Sequence, residues 1–250
     1  MKYVILIGIG LFLLTSLVVG TRLVFLYLRT RKLPELLMAI ALLCTGFLAF
    51  AVGSASKILI DGTPALRSGM TVLGLSVEYI GDAALALFAW RVFHADKRWS
   101  RVFITALAVL GVGAFAGELW SGEYLRYSDP EPITGLWVPG ALLVRGLAPT
   151  WLAFECLRFH AQLRRRVRIG LADPIVMQRV GLWGLAMTAS AGAYAVPIAH
   201  RLAYGTGIRE HVWAISIVSA LAMVTALSIG LAFFPPRKYR ERMRSLSPRD

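Results

Sequence analysis

Seven apolar blocks, each close to the length a helix needs to cross a bilayer, constrain this chain more than any other feature. A hydrocarbon core of about 30 Å takes roughly 20 residues of helix, at about 1.5 Å per residue. The blocks run over about 3–28, 36–60, 70–92, 102–120, 136–158, 177–200 and 212–234, and are numbered spans 1 to 7 in chain order. Charged residues make up 16% of the chain, against about 25% in an ordinary soluble domain, too few to cover so much apolar material with a water-facing surface. The expected fold class is all-α: a polytopic membrane protein, with a seven-transmembrane-helix bundle over 1–234 and a basic tail over 235–250. The first block follows Lys2 as a signal peptide would. It runs from Tyr3 to Gly20 and again from Leu23 to Leu28 without a small-residue cleavage pattern, which predicts a retained span.

A net charge of +13 in a soluble protein would point to nucleic acid. Here the placement of the charge points to the bilayer, and no nucleic-acid partner is expected. Arg29, Arg31 and Lys32 follow span 1; Lys97, Arg98 and Arg101 follow span 3; Arg164, Arg165, Arg166 and Arg168 follow span 5. Arg237, Lys238, Arg240, Arg242, Arg244 and Arg249 crowd the tail, whereas the opposite face has only Lys2, Lys57, Arg67, Arg126, Arg201 and Arg209. Positively charged connections stay in the cytoplasm, so the N-terminus is expected outside and the C-terminus inside, in a multi-pass protein of a cell inner membrane. The segment from Gly117 to Thr134 is acidic and aromatic, and beside so short a tail no fused output module is expected. Cys44 and Cys156 fall at different depths inside spans, which excludes a structural disulfide between them.

Helix punctuation supports these spans. Pro34 with Glu35 opens span 2, and Asp173 with Pro174 opens span 6, in positions where a missing amide hydrogen and a negative charge suit a helix start. Pro139, Pro149 and Pro197 fall inside spans 5 and 6, where they remove backbone hydrogen bonds and favour kinks.

Three ionisable residues lie far from either surface: Glu78 and Asp82 in span 3 and Arg145 in span 5. Counted from the outer ends of their spans, Glu78 and Arg145 lie at equal depth, and the four-residue spacing of Glu78 and Asp82 puts both carboxylates on one helix face. One guanidinium fork can bridge two carboxylates, which predicts a buried ion cluster joining spans 3 and 5. Two roles fit such a cluster: a mid-membrane site for a ligand, ion or proton, or a charge-neutralised strut that fixes packing. Glu155 is expected to pair locally with Arg158 or His160, while Arg22, Arg91 and Glu118 are expected to reach the interfaces by extending along apolar surface. His200 and His211 flank a short loop with Glu210, but their spacing matches no metal motif, and no metal ligand is assigned. Trp151, Trp183 and Tyr194 are the candidate lining of a cavity within the bundle. Gly113 and Gly117 form a GxxxG in span 4, and small residues run from Ala186 to Ala195 in span 6; both permit close helix contact.

No HExxH, GxSxG or Gly-rich phosphate loop occurs, so no catalytic residue is assigned and an enzyme is not expected. The seven-span layout resembles that of rhodopsins and seven-helix receptors in topology alone. A retinal Schiff base needs a buried lysine, and all five lysines (Lys2, Lys32, Lys57, Lys97 and Lys238) lie outside or at the edges of spans, so no cofactor is expected. The proline-glutamine signature of the three-plus-one-plus-three sugar-efflux transporters is missing, as are the intramembrane histidines of seven-helix zinc hydrolases. The stretches RTRKLPELLMAIALL (29–43) and LRRRVRIGLADPIVMQRVGLWG (163–184) resemble an uncharacterised group of bacterial seven-helix membrane proteins. That resemblance implies the layout and transfers no activity or functional residue.

Three functions remain open. The first is a receptor-like or sensory protein that binds a small or apolar molecule, or a proton, between spans 3, 5, 6 and 7, and acts through a separate cytoplasmic signalling protein. The second is a small transporter or channel with Glu78, Asp82 and Arg145 as a relay. The third is a membrane scaffold, with Arg164, Arg165, Arg166 and Arg168 holding anionic lipid or a partner.

Overall fold

Every apolar block folds as a helix, the one open structure that satisfies all its backbone groups away from water. The computed structural model describes residues 2–58, 64–123, 135, 137–205, 207–208 and 211–236. Helix α1 is Lys2–Thr30. Helix α2 is composite, with Leu33–Ala41, a wider π-helical stretch Leu42–Leu48, and Ala49–Ile58. There follow α3 (Pro64–Phe93), α4 (Arg98–Ser121), α5 (Trp137–Arg168), α6 (Pro174–Tyr204) and α7 (Val212–Phe233). All seven are long and apolar enough to cross a membrane, and large apolar side chains such as Leu6, Phe25, Val109, Phe154 and Ile217 point outward, as lipid contact requires. The chain is a multi-pass membrane protein. The basic tail from Arg237 onward, together with Arg126 and Arg209, lies outside the described residues.

At one end of the bundle the connections are short and fixed by local chemistry. Arg31 takes a left-handed conformation (φ 56°) between α1 and α2, and the Thr30 hydroxyl donates to the Glu35 carboxylate across the turn. Between α3 and α4 the Ser100 hydroxyl sits 2.6 Å from the carbonyl oxygen of His94 and 2.7 Å from that of Lys97, closing the link. Gly170, at φ 72°, turns the chain after α5, and the Asp173 carboxylate accepts the Ile175 amide hydrogen at 2.8 Å to cap α6 ahead of Pro174.

Two expectations change. Helix α5 does not stop near residue 158 but continues to Arg168, so Arg164, Arg165, Arg166 and Arg168 are the exposed face of its last turns rather than part of a loop. The reason is a narrow apolar stripe. Leu163 and Val167, four residues apart, are buried there and hold the helix beyond the point where its overall hydropathy falls. Pro139 stands in the first turn of α5, where its missing amide hydrogen is harmless; Pro149 and Pro197 lie in helix interiors. Pro149, fully buried, cannot bond the carbonyl four residues back, which belongs to Arg145.

Sequential neighbours pack together, α1 also packs on α7, and α3 packs on α5; α4 rests outside that seam on α3 and α5. The shared core is built largely of small residues, among them Ala39, Ala84, Ala89, Ala148 and Ala186, which let the backbones approach. One close approach near the site is that of α3 to the π-helical part of α2 at Gly81. A Cβ there would stand 2.5 Å from Thr45 Cγ2 and 2.9 Å from the Thr45 nitrogen. Gly81→Val is expected to destabilise the purified protein by about 1–3 kcal/mol, the usual penalty for overpacking. Gly113→Ala, where the added atom meets nothing within 4 Å, should leave the melting temperature in detergent nearly unchanged. Equal melting temperatures for the two variants would refute the close α2–α3 contact.

Candidate functional site

Glu78, Tyr79 and Asp82 stand on consecutive turns of α3, Arg145 on α5, and Tyr194 on α6. Arg145 is 6% exposed and forms an ion pair with Glu78 through its Nη2, while its Nε donates to Asp82 Oδ2 at 3.2 Å. Its guanidinium carbon lies 5.5 Å from the ring centroids of both Tyr79 and Tyr194, so two aromatic rings hold the cation alongside the two carboxylates. The Tyr194 hydroxyl lies 3.4 Å from Asp82 Oδ1, on the carboxylate oxygen that Arg145 Nε leaves. Gly146, beside the arginine, has only the Tyr194 Cβ close to it, and its lack of a side chain lets that tyrosine approach α5.

The network extends further than the sequence suggested. Glu118 does not reach for the interface: it is 4% exposed and accepts a 2.9 Å hydrogen bond from the Tyr79 hydroxyl, which ties α4 to α3. Nor does Glu155 pair within its own helix. It is buried, and its Oε1 lies 2.7 Å from Nε2 of His94 in the α3–α4 connection. Both corrections have one physical cause. A carboxylate near the end of an apolar helix looks as if it can reach water, but once neighbouring helices cover it, it stays only where a polar hydrogen is aimed at it. Tyr79 carried one legible sign, its three-residue spacing from Asp82 on the same face; His94 carried none.

A cavity of about 420 Å3 opens beside the cluster. Asp82, Arg145 and Tyr79 form its polar end, and Ala83, Leu107 and Phe115 belong to its apolar wall. Its lining also includes Ile80, Leu87 and Val112, which are exposed on the outer surface of the bundle, so the cavity opens sideways toward lipid. It lies between α3, α4 and α5, not between spans 3, 5, 6 and 7. At two of the other seams small residues admit large neighbours: Leu157 Cδ2 of α5 would stand 2.8 Å from a Cβ at Gly184, and Leu221 Cδ1 of α7 3.3 Å from one at Gly192. Helix α4 presents Ala108 and Gly111 to α3 and leaves the gap.

Of the three candidate lining residues, Tyr194 joins the ion cluster. Trp151 packs instead between His94, with rings stacked at 6.3 Å, and the edge of Phe103 at 4.8 Å. Trp183 lines a separate cavity with Arg22 and Phe233. Within the chain Gly113 and Gly117 do not share a neighbour: Gly117 receives the indole of Trp137, and a Cβ at Gly113 would meet nothing within 4 Å. The small-residue run of α6 packs within the molecule, with Thr225 of α7 donating to the Ala186 carbonyl at 3.3 Å. His200 Nε2 and His211 Nδ1 lie 2.9 Å apart. Glu210 lies outside the described residues, and among the described residues no group of three potential metal ligands forms.

Three carboxylates, two phenols and one guanidinium thus connect four helices around one lateral opening. No family model, curated protein or solved structure matches this chain.

Proposed function

We propose that this protein is a receptor-like membrane sensor that takes a small apolar molecule from the bilayer into the cavity between α3, α4 and α5. The observation that carries this reading is the sideways opening of an apolar pocket onto the Asp82–Arg145 pair. An apolar body gains by leaving lipid only if a few fixed polar groups orient it, and such a pocket supplies both parts. Binding between α3 and α4 would alter the Tyr79–Glu118 contact and the placing of α4. The α3–α4 connection, clasped to α5 by His94 and Glu155, would pass that change to the basic end of the bundle. On this reading the N-terminus is outside, the protein sits in a bacterial inner membrane, and Arg164, Arg165, Arg166 and Arg168 face a separate cytoplasmic partner.

The test uses a neutral long-chain alcohol carrying a photoreactive diazirine. Saturable labelling of α3 and α4 residues that line the cavity is expected, and Ala83→Phe, which fills the opening, should weaken it about tenfold without unfolding the protein. Labelling that never saturates and is equal on every outward face would overturn the reading.

A second reading rests on the surplus of carboxylates over guanidinium, which suits a proton or cation relay. Flux in reconstituted vesicles that disappears in Glu78→Gln would favour transport over sensing.

A further inference from the structure

At the end of the bundle where α1 and α7 finish and α6 begins, a second cavity of about 340 Å3 is lined by Arg22, Leu23 and Leu26 of α1, Arg179 and Trp183 of α6, and Phe233 of α7. Among the described residues no carboxylate lines it. Arg22 is anchored: its Nη1 donates to the Phe233 carbonyl oxygen at 3.2 Å, and its guanidinium carbon lies 4.7 Å from the centroid of the Phe234 ring. One donor is used, so most of its N–H groups remain available. Arg179 is exposed and makes no hydrogen bond or ion pair with any described residue. Two guanidiniums from different helices therefore line one cleft.

We infer that this cleft binds an anionic glycerophospholipid, its phosphate held between Arg22 and Arg179 and its acyl chains lying along Leu23, Leu26 and Trp183. Three features favour a lipid over a soluble anion. The cleft wall is apolar, with Leu26 exposed on the outer surface of the bundle, Trp183 lies edge-on to Phe233 with centroids 5.7 Å apart, and its indole stands beside the end of α7, where an amphipathic ring suits the headgroup region. Basic pockets between spanning helices are a recognised way to hold phosphate headgroups. The arginines at the end of α5 have no comparable walls. Arg164, Arg165 and Arg166 are exposed on a helix that has already left the apolar blocks, so they offer charge without a place for acyl chains. The inference is independent of the ligand cavity and of the orientation of the protein.

Native mass spectrometry of the detergent-purified protein, exposed to phosphatidylglycerol and phosphatidylcholine of the same chains, tests it. Phosphatidylglycerol should be retained about thirtyfold more strongly, since each arginine near a membrane surface is worth about a factor of five. Arg22→Ala with Arg179→Ala should abolish the preference. Arg179→Glu alone, a change at an exposed position that does not threaten folding, should also abolish it, since the new carboxylate offsets Arg22. Arg164→Ala, Arg165→Ala and Arg166→Ala together should leave it intact. Loss of the preference in that triple variant but not in Arg179→Glu would overturn the site, as would equal retention of both lipids. Displacement of phosphatidylglycerol by millimolar inorganic phosphate would make this a phosphate site and reject the lipid.

Discussion

Arg145→Ala is expected to lower the stability of the folded protein by about 3–5 kcal/mol, the usual cost of removing one partner from a buried ion pair. The variant would leave Glu78 and Asp82 inside the bundle without the guanidinium that both contact. The measurement is a melting curve in detergent, with recovery from size exclusion as a second readout. Adding Glu78→Ala to Arg145→Ala should regain part of the loss, because the double variant removes one of the stranded carboxylates. Recovery stays partial: Asp82 keeps only Tyr194, and both tyrosine rings lose the cation between them. Arg145→Lys should fall between wild type and alanine, since a point charge on a flexible stem cannot span both acids as a planar fork does. Strictly additive losses in the cycle would show that the residues do not interact.

The second large effect is expected at the far end of α5. Glu155→Ala strands His94, which is 6% exposed and whose Nδ1 has no hydrogen-bond partner among the described residues. A hydrogen bond to a charged group is worth about 1.5–3 kcal/mol, so a loss of about 2 kcal/mol is expected. Glu155→Gln keeps an acceptor for the imidazole and should lose less. Arg158→Ala is the control. Arg158 is exposed on the same helix, and its removal should change stability by no more than about 0.5 kcal/mol. The opposite ranking of Glu155→Ala and Arg158→Ala in thermal melts would restore the local pairing and sink the clasp. A loosened clasp should also weaken diazirine labelling in the cavity, because the same connection sets where α4 begins.

The two sets of residues differ in how readily the sequence revealed them. Length and apolarity located every span, since the bilayer leaves a helix few alternatives. Charge depth placed Glu78, Asp82 and Arg145 together, because an ionised group in hydrocarbon has only other polar groups to turn to. What stayed hidden depends on which helices touch. Nothing around Glu118 names Tyr79 as its partner, 39 positions away, and nothing around Glu155 names His94, 61 positions away. The end of α5 was hidden for a different reason. Averaged over a span, four arginines outweigh two apolar residues, yet it is Leu163 and Val167 that are buried while the arginines stay exposed. The cavity escaped notice because it depends on α4 packing loosely, which composition does not encode.

Helix α5 is the least apolar of the seven and also the most enclosed by its neighbours. Those two facts bear on biogenesis. A lone arginine at the middle of a hydrophobic segment disfavours membrane insertion by about 2.5–3.5 kcal/mol, and α5 adds that cost to the lowest hydropathy of the seven. Ribosomal synthesis delivers α3 first, with its two acids already in the membrane when the arginine leaves the translocon. In that order the basic helix would find the two carboxylates it pairs with already in place.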